Sequence, residues 1–210
     1  MAARSRVANL TEGTIWKELV LFALPLMASN LFQQLYNTAD SLVVGRFVGS
    51  TALAAVGSTG SITGLVIAFF MGMGTGSGVV ISQYYGARDY DNLHKSVHTA
   101  VALAIAFGIG LAIIGVILTP YMLRWMGTPD DVMGQATEYL SIYFIGIISL
   151  TVYNIGSGIL RAVGDSKRPL YYLIVAGITN VVLNLVFVIV FNMGVAGVAW
   201  ATIASQVLSS

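Results

Sequence analysis

One carboxylate stands inside an otherwise apolar stretch near the start of the chain. Leu19 to Ala39 carries no charge, Asp40 follows, and the next charge is Arg46. Placing a carboxylate mid-bilayer costs about 2.5–3.5 kcal/mol on insertion scales, so such a group is neutral, paired, or facing water. At 100° per residue Asn30, Gln33, Gln34, Asn37, Asp40 and Ser41 fall in one sector of a helix, whereas Leu31, Phe32, Leu35, Ala39 and Leu42 lie opposite. A polar stripe of this kind is predicted to line a cavity. There the cost of burying the charged form would let Asp40 exchange a proton for a cation. The competing reading puts Asp40 near the end of its helix, in headgroup water or paired with Arg46.

Two later stretches offer partners. Asn180 and Asn184 are spaced i, i+4, and Thr202 and Gln206 repeat that spacing. Amide and hydroxyl oxygens are ligands for a hard cation such as Na⁺ and also hydrogen-bond a protonated carboxyl. Intramembrane Asn and Thr equally serve as interhelical glue. Elsewhere His94 and His98 share a helix face but have no evident third ligand, so no metal site is expected beyond Na⁺. Tyr36, Tyr139, Tyr143, Tyr153, Tyr171 and Tyr172 suit interfacial anchoring or aromatic walls for a lipophilic cation. No nucleophile–base arrangement, nucleotide loop or paired-carboxylate site is visible, so neither an enzyme, a cofactor nor a nucleic-acid partner is expected.

The elements that must position these residues are membrane helices. The 210 residues are 57% apolar and only 9% charged, with a mean hydropathy of +0.83; a soluble domain has about 25% charged residues. With no cysteine, disulfides and thiolate metal sites are excluded. Arg4, Arg6 and Lys17 before an apolar run, with Ala28-Ser29-Asn30 beyond it, resemble a signal peptide. More apolar spans follow, however, and Pro25 lies within the run, so a first membrane helix is expected.

Spans are expected over 15–44, 51–84, 96–119, 139–160, 170–191 and 195–210, after an N-terminal segment 1–14. Pro120 closes the third, and Asn192-Met193-Gly194 separates the last two as a turn would. The uncharged stretch from Phe47 to Ala87 could hold one helix or two. One helix puts Arg4, Arg6, Lys17, Arg88, Lys95, Arg161, Lys167 and Arg168 on one side and only Arg46 and Arg124 on the other. Two helices nearly erase that bias. The positive-inside rule therefore selects six spans in the cell membrane with the N-terminus cytoplasmic. The second helix, at about 33 residues, would be ~50 Å long and must tilt or project. Its Gly60/Gly64, Gly72/Gly76 and Gly74/Gly78 pairs have the spacing of close helix contacts.

Ala23-Leu24-Pro25-Leu26, Tyr36-Asn37-Thr38-Ala39-Asp40-Ser41, Gln83-Tyr84-Tyr85-Gly86-Ala87-Arg88 and the run from Gly158 through Arg161-Ala162-Val163-Gly164-Asp165 to Pro169 resemble the MATE (multidrug and toxic compound extrusion) family. The likeness covers nearly the whole chain. It implies an all-α membrane protein of twelve helices in two six-helix lobes, alternating between inward- and outward-open states. Such a protein exchanges H⁺ or Na⁺ for an organic cation. In that frame Asp40 matches the coupling acid, and Asn180, Asn184 and Thr202 match the rest of the first lobe's cation site. Pro25 matches a proline linked to helix bending, and some members carry an acid where this chain has Asn184. The chain is expected to be the first lobe, cut in its sixth helix. Its partners would be the bilayer, organic cations, and a C-terminal lobe or second half-size chain. Two alternatives stand beside this. A lipid-linked oligosaccharide flippase of related fold would need cavity cations, and a non-transporting half-size module would assemble with a partner.

Overall fold

A computed structural model describes residues 15–210; the expected N-terminal segment 1–14 lies outside them. Helix α1 (Ile15–Val43) runs through Pro25 and ends in a π-helical turn, Val44–Val48. Helices α2 (Ser50–Gly86) and α3 (Tyr90–Trp125) are the longest. Helices α4 (Asp130–Ile145) and α5 (Ile147–Ala162) form one span bent by 48° at Gly146. Helix α6 (Lys167–Leu185) ends in a second π turn, Val186–Val190, and α7 (Gly194–Ser209) follows. Four segments are long and apolar enough to cross a bilayer, the bent pair makes a fifth, and the shorter apolar α7 is the last of the series.

The undivided α2 is one helix of 37 residues, about 55 Å at 1.5 Å per residue. Several helices exceed the expected spans. Helix α3 continues past Pro120 to Trp125; the proline removes one intrahelical hydrogen bond without ending the helix. Helix α4 starts at Asp130 rather than Tyr139, with Asp130 and Asp131 in its first turn, where acids suit the helix dipole. Leu31, Leu65, Ile113, Ile117, Ile178 and many other large apolar side chains lie on the outside, an arrangement that only lipid tolerates.

Helices α2 and α5 approach backbone to backbone. A Cβ on Gly158 would lie 2.5 Å from the Gly74 carbonyl oxygen, and one on Gly74 would lie 2.9 Å from that of Asn154. Backbone therefore meets backbone, as small residues allow in membrane helices. The Gly74/Gly78 pair joins this seam, whereas Gly60, Gly64, Gly72 and Gly76 face open space. Phe70, Leu123, Leu140, Phe144 and Ile147 belong to the main core cluster between α2, α3 and the α4–α5 pair. Ala100, Ala104 and Ile155 pack near the seam. A second cluster joins Val43, Val44, Tyr139, Val188 and Val195 through Ala199, gathering both π turns against α7.

The turns follow local rules. Gly164 takes φ 87°, so its N–H reaches the Arg161 carbonyl and the Asp165 N–H reaches that of Leu160. The Asp165 carboxylate accepts the N–H groups of Lys167 and Arg168 at 3.1 Å each and pairs with the Arg168 guanidinium. The Gly-Asp of this loop thus ends one helix and starts the next. The α2–α3 turn uses the same geometry with Arg88 at φ 58° in place of glycine.

Candidate functional site

Asp40 lies in the last full turn of α1 before its π turn, and Asn184 lies in the corresponding place on α6. The i, i+4 spacing of Tyr36 and Asp40 turns both inward against α6. Asn180 and Asn184 share the face that meets them, and Thr202 projects from α7. All four polar residues are buried: Asp40 is 8% exposed, Thr202 7%, and both asparagines 0%.

They form one hydrogen-bonded chain across three helices. Asn184 Nδ2 donates to Asp40 Oδ1 and, at 3.0 Å, to Asn180 Oδ1. Asn180 Nδ2 donates to Thr202 Oγ1 at 3.4 Å, and that hydroxyl donates to the Val198 carbonyl at 3.0 Å. The Asn184 Oδ1 atom is buried with no donor. Buried acceptors are seldom left alone, because the desolvation cost is about 1–3 kcal/mol. The cluster therefore offers a carboxylate, two amide oxygens and a hydroxyl, with one acceptor unused. That donor set fits a hard monovalent cation, and a proton on the carboxylate fits as well.

Asp40 is neither in open water nor paired with Arg46. Among the described residues the one ion pair joins Asp165 and Arg168. Its neighbours in the polar stripe divide. Gln33 is half-buried, while Asn30, Gln34, Asn37 and Ser41 are exposed, and the Ser41 hydroxyl bonds back to the Asn37 carbonyl. The stripe is centred roughly 70° around the helix from Asp40. Only its edge touches α6, and the rest faces away from the lobe. Gln206 is half-buried beside Thr202 and Tyr143, outside the hydrogen-bonded chain. Pro25 sits within the continuous α1, its carbonyl accepting the Ser29 hydroxyl at 2.8 Å.

Three of the tyrosines expected as interfacial anchors or aromatic walls lie instead in the interior near the cluster. The Tyr36 hydroxyl is buried without a hydrogen-bond partner, and its ring packs 3.7 Å from where a Gly177 Cβ would be. Tyr139 is buried and the Tyr143 hydroxyl is buried without a partner. In sequence each looks like any interfacial tyrosine. The available signal is that Tyr36 precedes Asp40 by one helical turn. By contrast Tyr171 and Tyr172 are exposed, and the Tyr153 hydroxyl donates to the Pro169 carbonyl at 3.3 Å. His94 and His98 are exposed, joined by a His98 ring contact to the His94 carbonyl. Among the described residues no three of His, Cys, Asp and Glu gather as a metal site would require.

Comparison with known proteins agrees with this architecture. The chain is similar to the Probable multidrug resistance protein YpnP of Bacillus subtilis, at 37% identity over 198 residues, covering 94% of this chain and 44% of that protein. It is 35% identical to the Probable multidrug resistance protein YoeA of the same organism, covering 94% of this chain and 43% of the relative. Among solved structures it superposes with a TM-score of 0.90 on a MOP superfamily transporter of Pyrococcus furiosus. That transporter is described as having a binding pocket of reverse polarity that suggests a different function. Identity is 29%, over 98% of this chain and 45% of the transporter. The chain thus spans a little under half the length of the relatives it matches. The MatE family profile matches residues 25–186, and the chain belongs to that family of membrane transporters.

Proposed function

We propose that this chain is the N-terminal lobe of a multidrug exporter that expels organic cations in exchange for H⁺ or Na⁺ by alternating access. The observation that carries the reading is the buried Asp40 carboxylate, bonded only to neutral groups and set beside an acceptor oxygen with no donor. A membrane-buried acid without a cationic partner is an ion site by default. The names of the relatives supply the multidrug part, and their length supplies the second lobe.

In this reading the coupling ion occupies Asp40 with the Asn180, Asn184 and Thr202 oxygens. Binding from outside neutralises the carboxylate and ties α1 to α6 and α7. Release on the other side restores the charge. The exposed stripe of Asn30, Gln34, Asn37 and Ser41 then forms one wall of the path between the lobes. The arginines and lysines of the α2–α3 and α5–α6 turns face the cytoplasm, as does the N-terminus. Transport of this kind needs no cofactor and makes no covalent change in the substrate. A flippase for a pyrophosphate-linked lipid would need buried cations where this lobe buries an acid.

The test is efflux of a cationic dye from cells expressing the complete transporter, against imposed pH and Na⁺ gradients applied separately. One gradient should drive wild-type efflux, and Asp40→Asn should abolish it while the protein still reaches the membrane. Gradient-driven efflux that survives the substitution would refute the role of Asp40.

A further inference from the structure

A groove of about 330 Å³ opens between the second half of α2 and the first half of α3, at the opposite end of α2 from the π turn that follows α1. Its lining is mixed, with polar Ser77, Tyr84, Asn92, Lys95, Ser96 and Thr99 beside the apolar Leu103. Lys95 lies between one and two turns from the start of α3, near the end of an apolar span, where an ammonium on its alkyl stem can reach lipid headgroups.

Part of this polar lining is not consumed within the lobe, although the Asn92 amide goes to Asp89 and the Thr99 hydroxyl to the Lys95 carbonyl. Hydroxyls elsewhere on α2 bond back to their own helix, Thr75 to the Met71 carbonyl and Ser82 to that of Val79. Among the described residues no such bond engages Ser77, Ser96 or Tyr84, and Lys95 has no ion pair. Asp91, one turn before Lys95, makes no ion pair with it, and Asp89 is held by the Asn92 amide at 2.7 Å and the Asn92 N–H at 3.2 Å. Arg88, beside it at the turn, adds a second exposed cation. An ammonium with uncommitted hydroxyls beside apolar side chains complements a phosphodiester carrying an acyl chain. Basic pockets between membrane helices bind anionic headgroups in this way.

We propose that the α2–α3 groove is a binding site for an anionic phospholipid of the leaflet that the α2–α3 turn faces, with Lys95 holding the phosphate and Ser96 and Ser77 donating to it. The site is separate from the Asp40 cluster and depends only on membrane residence, so its failure would leave the transport reading intact.

The experiment is native mass spectrometry of the complete transporter released from nanodiscs of equal phosphatidylglycerol and phosphatidylcholine, counting retained lipids. Wild type should retain phosphatidylglycerol preferentially. Lys95→Gln should lower that preference about fivefold, the effect of one interfacial cation. Ser77→Leu should also lower it, by filling the groove without altering charge. Arg124→Gln, at the other end of α3, should retain the wild-type preference. Equal phosphatidylglycerol retention by wild type and Lys95→Gln would overturn the proposal. So would displacement of the lipid by millimolar inorganic phosphate or glycerol phosphate, which would assign the groove to a free anion.

Discussion

The α2–α5 seam and the α1–α6–α7 wall solve the same problem, holding helices together in lipid, by opposite means. At the seam, backbone touches backbone through Gly74 and Gly158, leaving nothing that can rearrange short of separating the helices. At the wall, α1 is joined to α6 and α7 by a chain of polar side chains from Asp40 to Thr202, and both α1 and α6 pass into π turns just beyond it. The two π turns touch each other. Such turns are frequent at functional sites, where a helix accommodates an altered hydrogen-bond register. The seam is built to stay fixed, and the wall is built to respond to what occupies it.

Substitutions can break this comparison from either side. The largest loss of stability is expected at the seam. Gly158→Val should cost about 1–3 kcal/mol or more, because the added carbons meet the Gly74 carbonyl. Gly60→Ala, in open space, should leave the melting temperature nearly unchanged. Equal effects in a thermal-shift assay would show that the two glycine sets do not differ. Next comes Asn184→Ala at the wall, which removes the amide from Asp40 and leaves a buried acceptor unpaired, at about 1–3 kcal/mol. Here the melting curve should also become sensitive to coupling-ion concentration in a way that differs from wild type, whereas a seam variant keeps the wild-type ion dependence.

Smaller effects belong to the α2–α3 turn. Arg88→Gly relieves a left-handed backbone at a position with side-chain freedom and should stabilise by about 1 kcal/mol, read by thermal unfolding. The smallest involves Asp89, whose carboxyl is held below the usual carboxylate range by the Asn92 side chain and N–H. A carboxyl more acidic in the folded state contributes stability at neutral pH and loses it as pH falls through that lowered value. The melting-temperature difference between wild type and Asp89→Ala should therefore shrink on acidification past the carboxylate range and stay constant above it.

How far the fold was legible follows from which forces act locally. Hydropathy and the distribution of Arg and Lys fix the order of spans, because lipid acts on every residue alike. The lone acid Asp40 and the pairs Asn180/Asn184 and Thr202/Gln206 are visible without coordinates. The resemblance, not the spacing, grouped Asp40 with Asn180, Asn184 and Thr202, and Gln206 lies outside the hydrogen-bonded chain. The break at Gly146 was not legible, since Ile145 and Ile147 continue the apolar run and no proline marks it. Space decides there, because a side chain at Gly146 would run into Ile203 on α7. The π turns are equally silent in sequence, since Val44–Val48 and Val186–Val190 read as ordinary apolar helix. Which glycines pack and how much of the polar stripe meets α6 depend on helix rotation, and rotation is set by packing across the lobe.

The central claim, that the buried Asp40 cluster is where the coupling ion binds, is tested most directly by measuring ion movement itself. Proteoliposomes holding the complete transporter should take up H⁺ or Na⁺ when an outward organic-cation gradient is imposed, read with a pH dye or ²²Na⁺. Wild type should show ion flux stoichiometrically tied to the organic cation, and Asp40→Asn should show none despite normal folding. Ion flux of wild-type size in Asp40→Asn would contradict the assignment.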